Sequence, residues 1–147
     1  MKPEVCNCLA LRQAARAATQ LYDRHLAPSG LRTTQFSILA KLKLLGPASI
    51  NALAAELVLD RTTLGRNILP LERDGLIRIG PSAADARSKE LRLTRKGAAR
   101  LGPALKRWAE AQKRFEEAHS QQRVEQLRSL LHGVMTSELG ATHLVER

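Results

Sequence analysis

Arg66 can offer two parallel N–H donors to the O6 and N7 acceptors of a guanine, and the hydroxyls of Thr62 and Thr63 can reach base edges or phosphates. Arg61 stands just before them, at what reads as the start of a helix, and the free N–H groups of a helix N-terminus attract phosphate on their own account. Asn67 and, further upstream, Ser49 add polar groups suited to the same polyanion, and a second cluster, Asp85, Arg87 and Lys89, follows in a polar stretch. The chemistry these residues imply is hydrogen bonding and charge neutralisation rather than bond making. The four histidines, His25, His119, His132 and His143, are scattered, and the sequence holds no nucleophile elbow, phosphate-binding glycine loop or metal-ligand spacing. No catalytic residue, cofactor or metal is expected.

Cys6 and Cys8, the only cysteines, are one residue apart and do not read as a disulfide framework. Two readings stay open for them. Neighbouring thiols close to a dimer axis could cross-link two subunits on oxidation, or they are inert, since nothing nearby guarantees a low thiol pKa. A metal site would need further ligands that this region lacks.

The whole chain carries 24 Lys and Arg against 14 Asp and Glu, a net charge of +10 over 147 residues. Such an excess attracts a polyanion and gains from counterion release, which makes nucleic acid the first partner to test. Its placement sharpens the argument. Between Arg61 and Gly97 nine basic residues face four acidic ones, so about a quarter of the chain carries half of the net charge. A solvated charged face would explain the number but not the concentration. With 44% hydrophobic residues the chain can fill a core, so disorder is not expected. No apolar run approaches a membrane span and the first ten residues lack a leader pattern, so a cytoplasmic protein away from membranes is expected.

The elements that would hold these side chains follow from hydrophobic periodicity and punctuation. Asn7 can cap a first helix carrying Leu11, Ala15, Ala18, Tyr22 and His25 up to the break at Pro28-Ser29-Gly30. Thr33 can cap a second, with Phe36, Leu39 and Leu42 inward, ended by Gly46-Pro47. Ser49 can cap a short third helix to Leu57, in which Ala54 would permit close approach of the next; Val58 and Leu59 could plug the turn. Asp60 can cap a fourth, with Leu64, Ile68 and Leu71 inward and Thr62, Arg66, Leu69 and Arg73 outward, Gly65 letting its backbone come near a partner. Leu76 to Ile79 and Glu90 to Leu93 read as strands around a polar tip. Thr94 can cap a long helix kinked at Gly102-Pro103, and Ser120 opens a last helix whose Val124, Leu127, Leu131 and Val134 have the spacing of a helix-helix seam. The fold class is therefore mainly α with a small β-hairpin wing, a winged helix-turn-helix framed by N- and C-terminal helices.

The segment Asp85-Ala86-Arg87-Ser88-Lys89-Glu90-Leu91-Arg92-Leu93-Thr94-Arg95-Lys96-Gly97 resembles the wing signature of the MarR family of bacterial transcriptional regulators, Asp-x-Arg, then Leu-Thr, then Gly. Leu71-Glu72-Arg73-Asp74-Gly75-Leu76-Ile77 is similar to that family's Leu-Glu-x-x-Gly-Leu-Ile, and Leu31 to Leu39 supports the match. The resemblance implies one MarR-like unit over 1–147, with a winged lobe at 33–97 and dimerisation helices at 7–28 and 98–140. It implies a homodimer on a pseudo-palindromic duplex operator, Arg87 inserted into a minor groove and Asp85 bracing it; narrow A·T-rich grooves concentrate the negative potential such an arginine seeks. It also implies a repressor relieved by a small aromatic or anionic effector bound between the dimerisation helices and the lobe, where Tyr22 and His25 are candidate contacts. Trp108 reads as core. Three alternatives share much of this: a redox-sensing regulator using Cys6 and Cys8, an architectural or nucleoid-type DNA binder without a defined operator, and a winged domain that docks on a protein.

Overall fold

A computed structural model of the chain describes residues 2–137; His143 and the end of the expected 98–140 segment lie outside them. After a 3-10 turn at Pro3–Val5 come α1 (Asn7–Leu26), a second 3-10 turn (Ala27–Ser29), α2 (Thr33–Leu45), β1 (Ala48–Ser49), α3 (Ile50–Leu57), α4 (Arg61–Arg73), β2 (Ile77–Pro81), β3 (Lys89–Leu93), α5 (Arg95–His119) and α6 (Gln121–Thr136). The strands form one antiparallel sheet in the order β1-β3-β2, with Ala48 opposite Leu91 and Ile79 opposite Leu91 on the other side. The expected hairpin is present, but it is joined by a third strand. Two residues are too few to show the alternation by which a strand is read from sequence.

Local signals account for most boundaries. Asp60 Oδ1 accepts the Thr63 N–H at 2.8 Å, Ser49 Oγ that of Ala52 at 3.1 Å and Thr94 Oγ1 that of Gly97 at 2.9 Å, so three predicted caps are in place. Two others differ. Cys6, not Asn7, is the N-cap of α1, its Sγ accepting from Leu9 N at 3.5 Å. Thr33 lies inside α2, and its N–H and hydroxyl both donate to Asp23 Oδ1 of α1, at 2.7 and 2.6 Å. The orphan donor at the start of α2 is satisfied by a side chain ten positions upstream, which a local pattern cannot reveal.

Leu26, Ile38, Leu39, Leu42, Leu53, Leu64, Leu71, Ile77, Leu91 and Leu101 are fully buried in one core that spans α1 to the first half of α5. Each is worth about 1.5–3 kcal/mol in transfer from water, which is what fixes α4 and the sheet to the helices behind them. Ala54 is buried at the α3 to α4 crossing as expected, whereas Val58, in the left-handed conformation, is half exposed and does not plug the turn; Leu59 packs against the core instead.

Gly102 and Pro103 do not interrupt α5, which runs unbroken from Arg95 to His119. Both face solvent, so the carbonyl that Pro103 leaves without a donor, that of exposed Ala99, can be hydrated. Trp108 stacks on Phe36 with ring centroids 6.1 Å apart and is 37% exposed, so it edges the core rather than filling it. On α6 only Val124 is buried; Leu127, Leu130, Val134 and Met135 stand in solvent, and α1 is exposed over most of its first four turns.

Candidate nucleic-acid interface

The buried stripe of α4, Leu64, Ile68 and Leu71, presses this helix onto the core and turns Thr62, Arg66, Leu69 and Arg73 outward. Arg61, Thr62 and Arg66 are exposed, and Asn67 is half-buried beside them. Thr63 differs from Thr62: its hydroxyl donates to Asp60 Oδ2 at 2.6 Å, so it closes the cap and retains only lone pairs for a partner. These bonds from the Thr63 hydroxyl and N–H hold the Asp60 carboxyl below its ordinary pKa. Ser49, likewise, spends an acceptor on the cap of α3 and keeps its O–H donor.

The wing tip is organised around Asp85. Its Oδ1 accepts the Arg87 N–H at 3.0 Å, and its carbonyl accepts the Ser88 N–H and hydroxyl at 3.1 and 3.0 Å. Asp85 thus braces Arg87 through the backbone, not through the guanidinium, which is left exposed together with Lys89. Within the basic segment Arg73 pairs with Asp74, Arg92 with Glu90, and Lys96 donates to the Asp74 carbonyl at 2.8 Å. Arg61, Arg66, Arg78, Arg87, Lys89 and Arg95 have no carboxylate partner among the described residues. Arg78 stands directly across the sheet from Arg92. The Glu90 carboxylate offsets the like-charge repulsion that this register brings.

A clasp that the sequence reading treated only as a cap joins the wing to α4. Thr94 Oγ1 lies 2.7 Å from the Gly75 carbonyl and Thr94 N donates to Leu76 O at 3.1 Å, tying the end of β3 to the turn after α4. The Leu-Thr and Gly positions of the segment 85–97 were the available signal.

Tyr22 and His25 are half-buried and already bonded. The Tyr22 hydroxyl donates to Gln112 Oε1 of α5, Gln112 Nε2 donates to Glu116 Oε1 at 3.1 Å, and Arg128 of α6 lies 3.6 Å from that carboxylate. Burial raises the Tyr22 pKa, and the Glu116 charge adds to the rise. His25 Nδ1 lies 2.9 Å from the Leu21 carbonyl. Concavities beside the α1–α2 connection are lined by Ser29, Lys96, Arg100 and Pro103 on one side and by Asp23, Arg24, Leu31 and Arg32 on the other; neither lining includes Tyr22 or His25. Cys6 and Cys8 are both exposed. No helix of the described residues is long and apolar enough to cross a membrane.

Three core-facing helices, a helix-turn-helix whose second member shows a polar and basic face, and a basic wing beside it define a winged-helix DNA-binding transcriptional regulator. Residues 31–89 match the MarR family profile. The M. tuberculosis transcriptional regulator MosR is 37% identical, with 88% of this chain and 95% of that one covered and a TM-score of 0.75. Its complex with DNA aligns at 41% identity over the same shares with a TM-score of 0.77. A probable transcriptional regulator from Pseudomonas aeruginosa is 27% identical, with 90% and 99% covered and a TM-score of 0.81. The chain belongs to the MarR family. No curated protein matches it.

Proposed function

We propose that this protein is a cytoplasmic, homodimeric repressor that reads a pseudo-palindromic operator and releases it when a small effector binds. The observation that carries the reading is the pairing of an outward Thr62-Arg66-Leu69-Arg73 stripe on α4 with an unpaired Arg87 at the wing tip. The first suits base edges in a major groove and the second the adjacent minor groove. The M. tuberculosis MosR complex with DNA supports this, since its sequence is 41% identical.

Dimerisation rests on apolar residues of α1 and α6 that the protomer leaves uncovered: Leu9, Leu11, Leu127, Leu130 and Val134 are 38 to 72% exposed. A second copy would bury them and place two copies of α4 about one DNA turn apart. Division of the chain into a lobe at 33–97 and dimerisation helices at 7–28 and 98–140 follows from that arrangement. Effector relief is proposed at the junction of the two parts, where Lys96 and Arg100 favour an anion and the backbone hydrogen bond that Pro103 cannot make leaves a weak point in the otherwise unbroken α5. Structures of family folds with 6-hydroxynicotinic acid regulation or with bound p-coumaroyl-CoA are compatible in fold.

A redox-controlled version is favoured by one observation: two exposed thiols, with Cys6 Sγ at the N-terminus of α1 beside the proposed dimer seam. A peroxide would take two electrons and two protons from a thiol pair, leaving a disulfide and two waters from hydrogen peroxide, or a disulfide, one water and an alcohol from an organic hydroperoxide. Binding of purified protein to the DNA upstream of its own gene, against scrambled competitor at two salt concentrations, tests the main reading. A palindromic footprint that survives competitor supports it; salt-sensitive binding without a preferred site points to an architectural protein, and no binding to a protein-docking domain. Repeating the footprint after peroxide, with Cys6→Ser and Cys8→Ser variants, tests the redox version.

A further inference from the structure

On the outward stripe of α4 one residue is not accounted for by hydrogen bonding. Leu64, Ile68 and Leu71 are 0, 2 and 0% exposed, whereas Leu69 is 60% exposed. At about 100° per residue, Thr62, Leu69, Arg66 and Arg73 fall within an arc of about 60°, opposite the three buried side chains. Leu69 is the apolar member of an otherwise polar row and adds little to the packing of the protomer.

A helical side chain leans toward the N-terminus and covers the turn before its own Cα. The turn before Leu69 contains Gly65, which has no side chain, and no atom, those of the Leu69 side chain included, lies within 4 Å of where a Gly65 Cβ would stand, so the backbone there is open to a partner. Arg66 follows Gly65 in the chain, and a shallow trough beside Leu69 is lined by Arg66, Pro70, Glu72 and Arg73. An exposed apolar side chain therefore stands one turn from an open strip of helix backbone, on the same face as a guanidinium suited to guanine.

We propose that Leu69 is a specificity-determining residue that recognises thymine through its C5-methyl group, beside a guanine read by Arg66. Thymine is the one base that presents a methyl group in the major groove; at the same place cytosine brings its amino donor close, and purines present polar edges that a leucine would leave without partners. The inference rests on α4 lying in the major groove, as in the proposed function.

The test uses the full-length protein and a duplex selected from a random pool. Each thymine in the selected site is replaced in turn by uracil, which lacks only the methyl group. Wild-type protein is expected to lose about fourfold in affinity per half-site at one position, the size set by moving a methyl group out of water. Leu69→Ala should bind both duplexes equally, and Leu69→Met should restore the preference. The exposure of Leu69 makes either variant fold-neutral, which circular dichroism checks. If wild-type protein selects a site but no uracil position depends on Leu69, the inference is overturned while the regulator reading stands. If no site is selected, both fall.

Discussion

Gly97, at the start of α5, lies so close to the Leu76 carbonyl oxygen that a β-carbon has no room between them, and such a β-carbon would also stand only 2.7 Å from Leu93 Cδ1. The same Leu76 carbonyl accepts the Thr94 N–H, and Thr94 Oγ1 accepts the Gly97 N–H. A threonine and a glycine three residues apart thereby fasten three elements at one point: the turn after α4, the end of the wing and the first turn of α5.

Gly97→Ala is accordingly expected to destabilise the fold by about 1–3 kcal/mol through overpacking against backbone, which cannot give way as a side chain would. Gly102→Ala, with nothing within 4 Å of its Cβ position, should not destabilise. Urea unfolding of the two variants measures the contrast. Equal midpoints would remove the clasp from the account.

Asp60 gives a pH dependence. Its carboxyl titrates below its ordinary value because it accepts two bonds from Thr63. A group that is more acidic folded than unfolded contributes stability at neutral pH and loses it as pH falls through the carboxylate range. Asp60→Ala should melt below wild type at about pH 7, and the gap should close in acid below the ordinary carboxylate pKa. Asp60→Asn, which still caps a helix, should lack that pH dependence.

These devices differ in how visible they were beforehand. Asp60, Ser49 and Thr94 were legible as caps because each donor and acceptor lie three residues apart, and Leu64, Ile68 and Leu71 because a buried face repeats every 3.6 residues. Asp23 capping α2, β1 joining the wing, and the link from Tyr22 through Gln112 and Glu116 to Arg128 depend on residues brought together by the fold, so local spacing carried no sign of them. The candidate DNA contacts were legible as a face. Which hydroxyls remain free was not, since Thr63 and Thr62 read alike until the bond to Asp60 is seen.

Arg66 and Lys89 should fail differently. Arg66→Ala is expected to weaken operator binding by about 1–3 kcal/mol and to relax preference at one base pair, whereas Lys89→Ala should weaken all sequences alike and lower the salt slope by about one. Titrations on selected and scrambled duplexes over a salt series separate the two. Equal losses on both duplexes for Arg66→Ala would exclude direct readout by this side chain.

The apolar face of α6 gives a prediction about assembly. Leu130 is 72% exposed in the protomer and Leu44, on α2, is 78% exposed. Leu130→Glu should yield a folded monomer by light scattering, with DNA affinity reduced at least about a hundredfold because two linked half-sites no longer act together. Leu44→Glu should remain dimeric. A dimer surviving Leu130→Glu with full affinity would place the seam elsewhere.

Hydroxyl-radical footprinting on a selected duplex measures the central claim most directly, that α4 and the wing of two subunits read one site. The expected pattern is a pair of protected half-sites centred about 10 base pairs apart, each flanked by a minor-groove protection that disappears in Arg87→Ala. A uniform ladder, or flanking protections unchanged in Arg87→Ala, would contradict it.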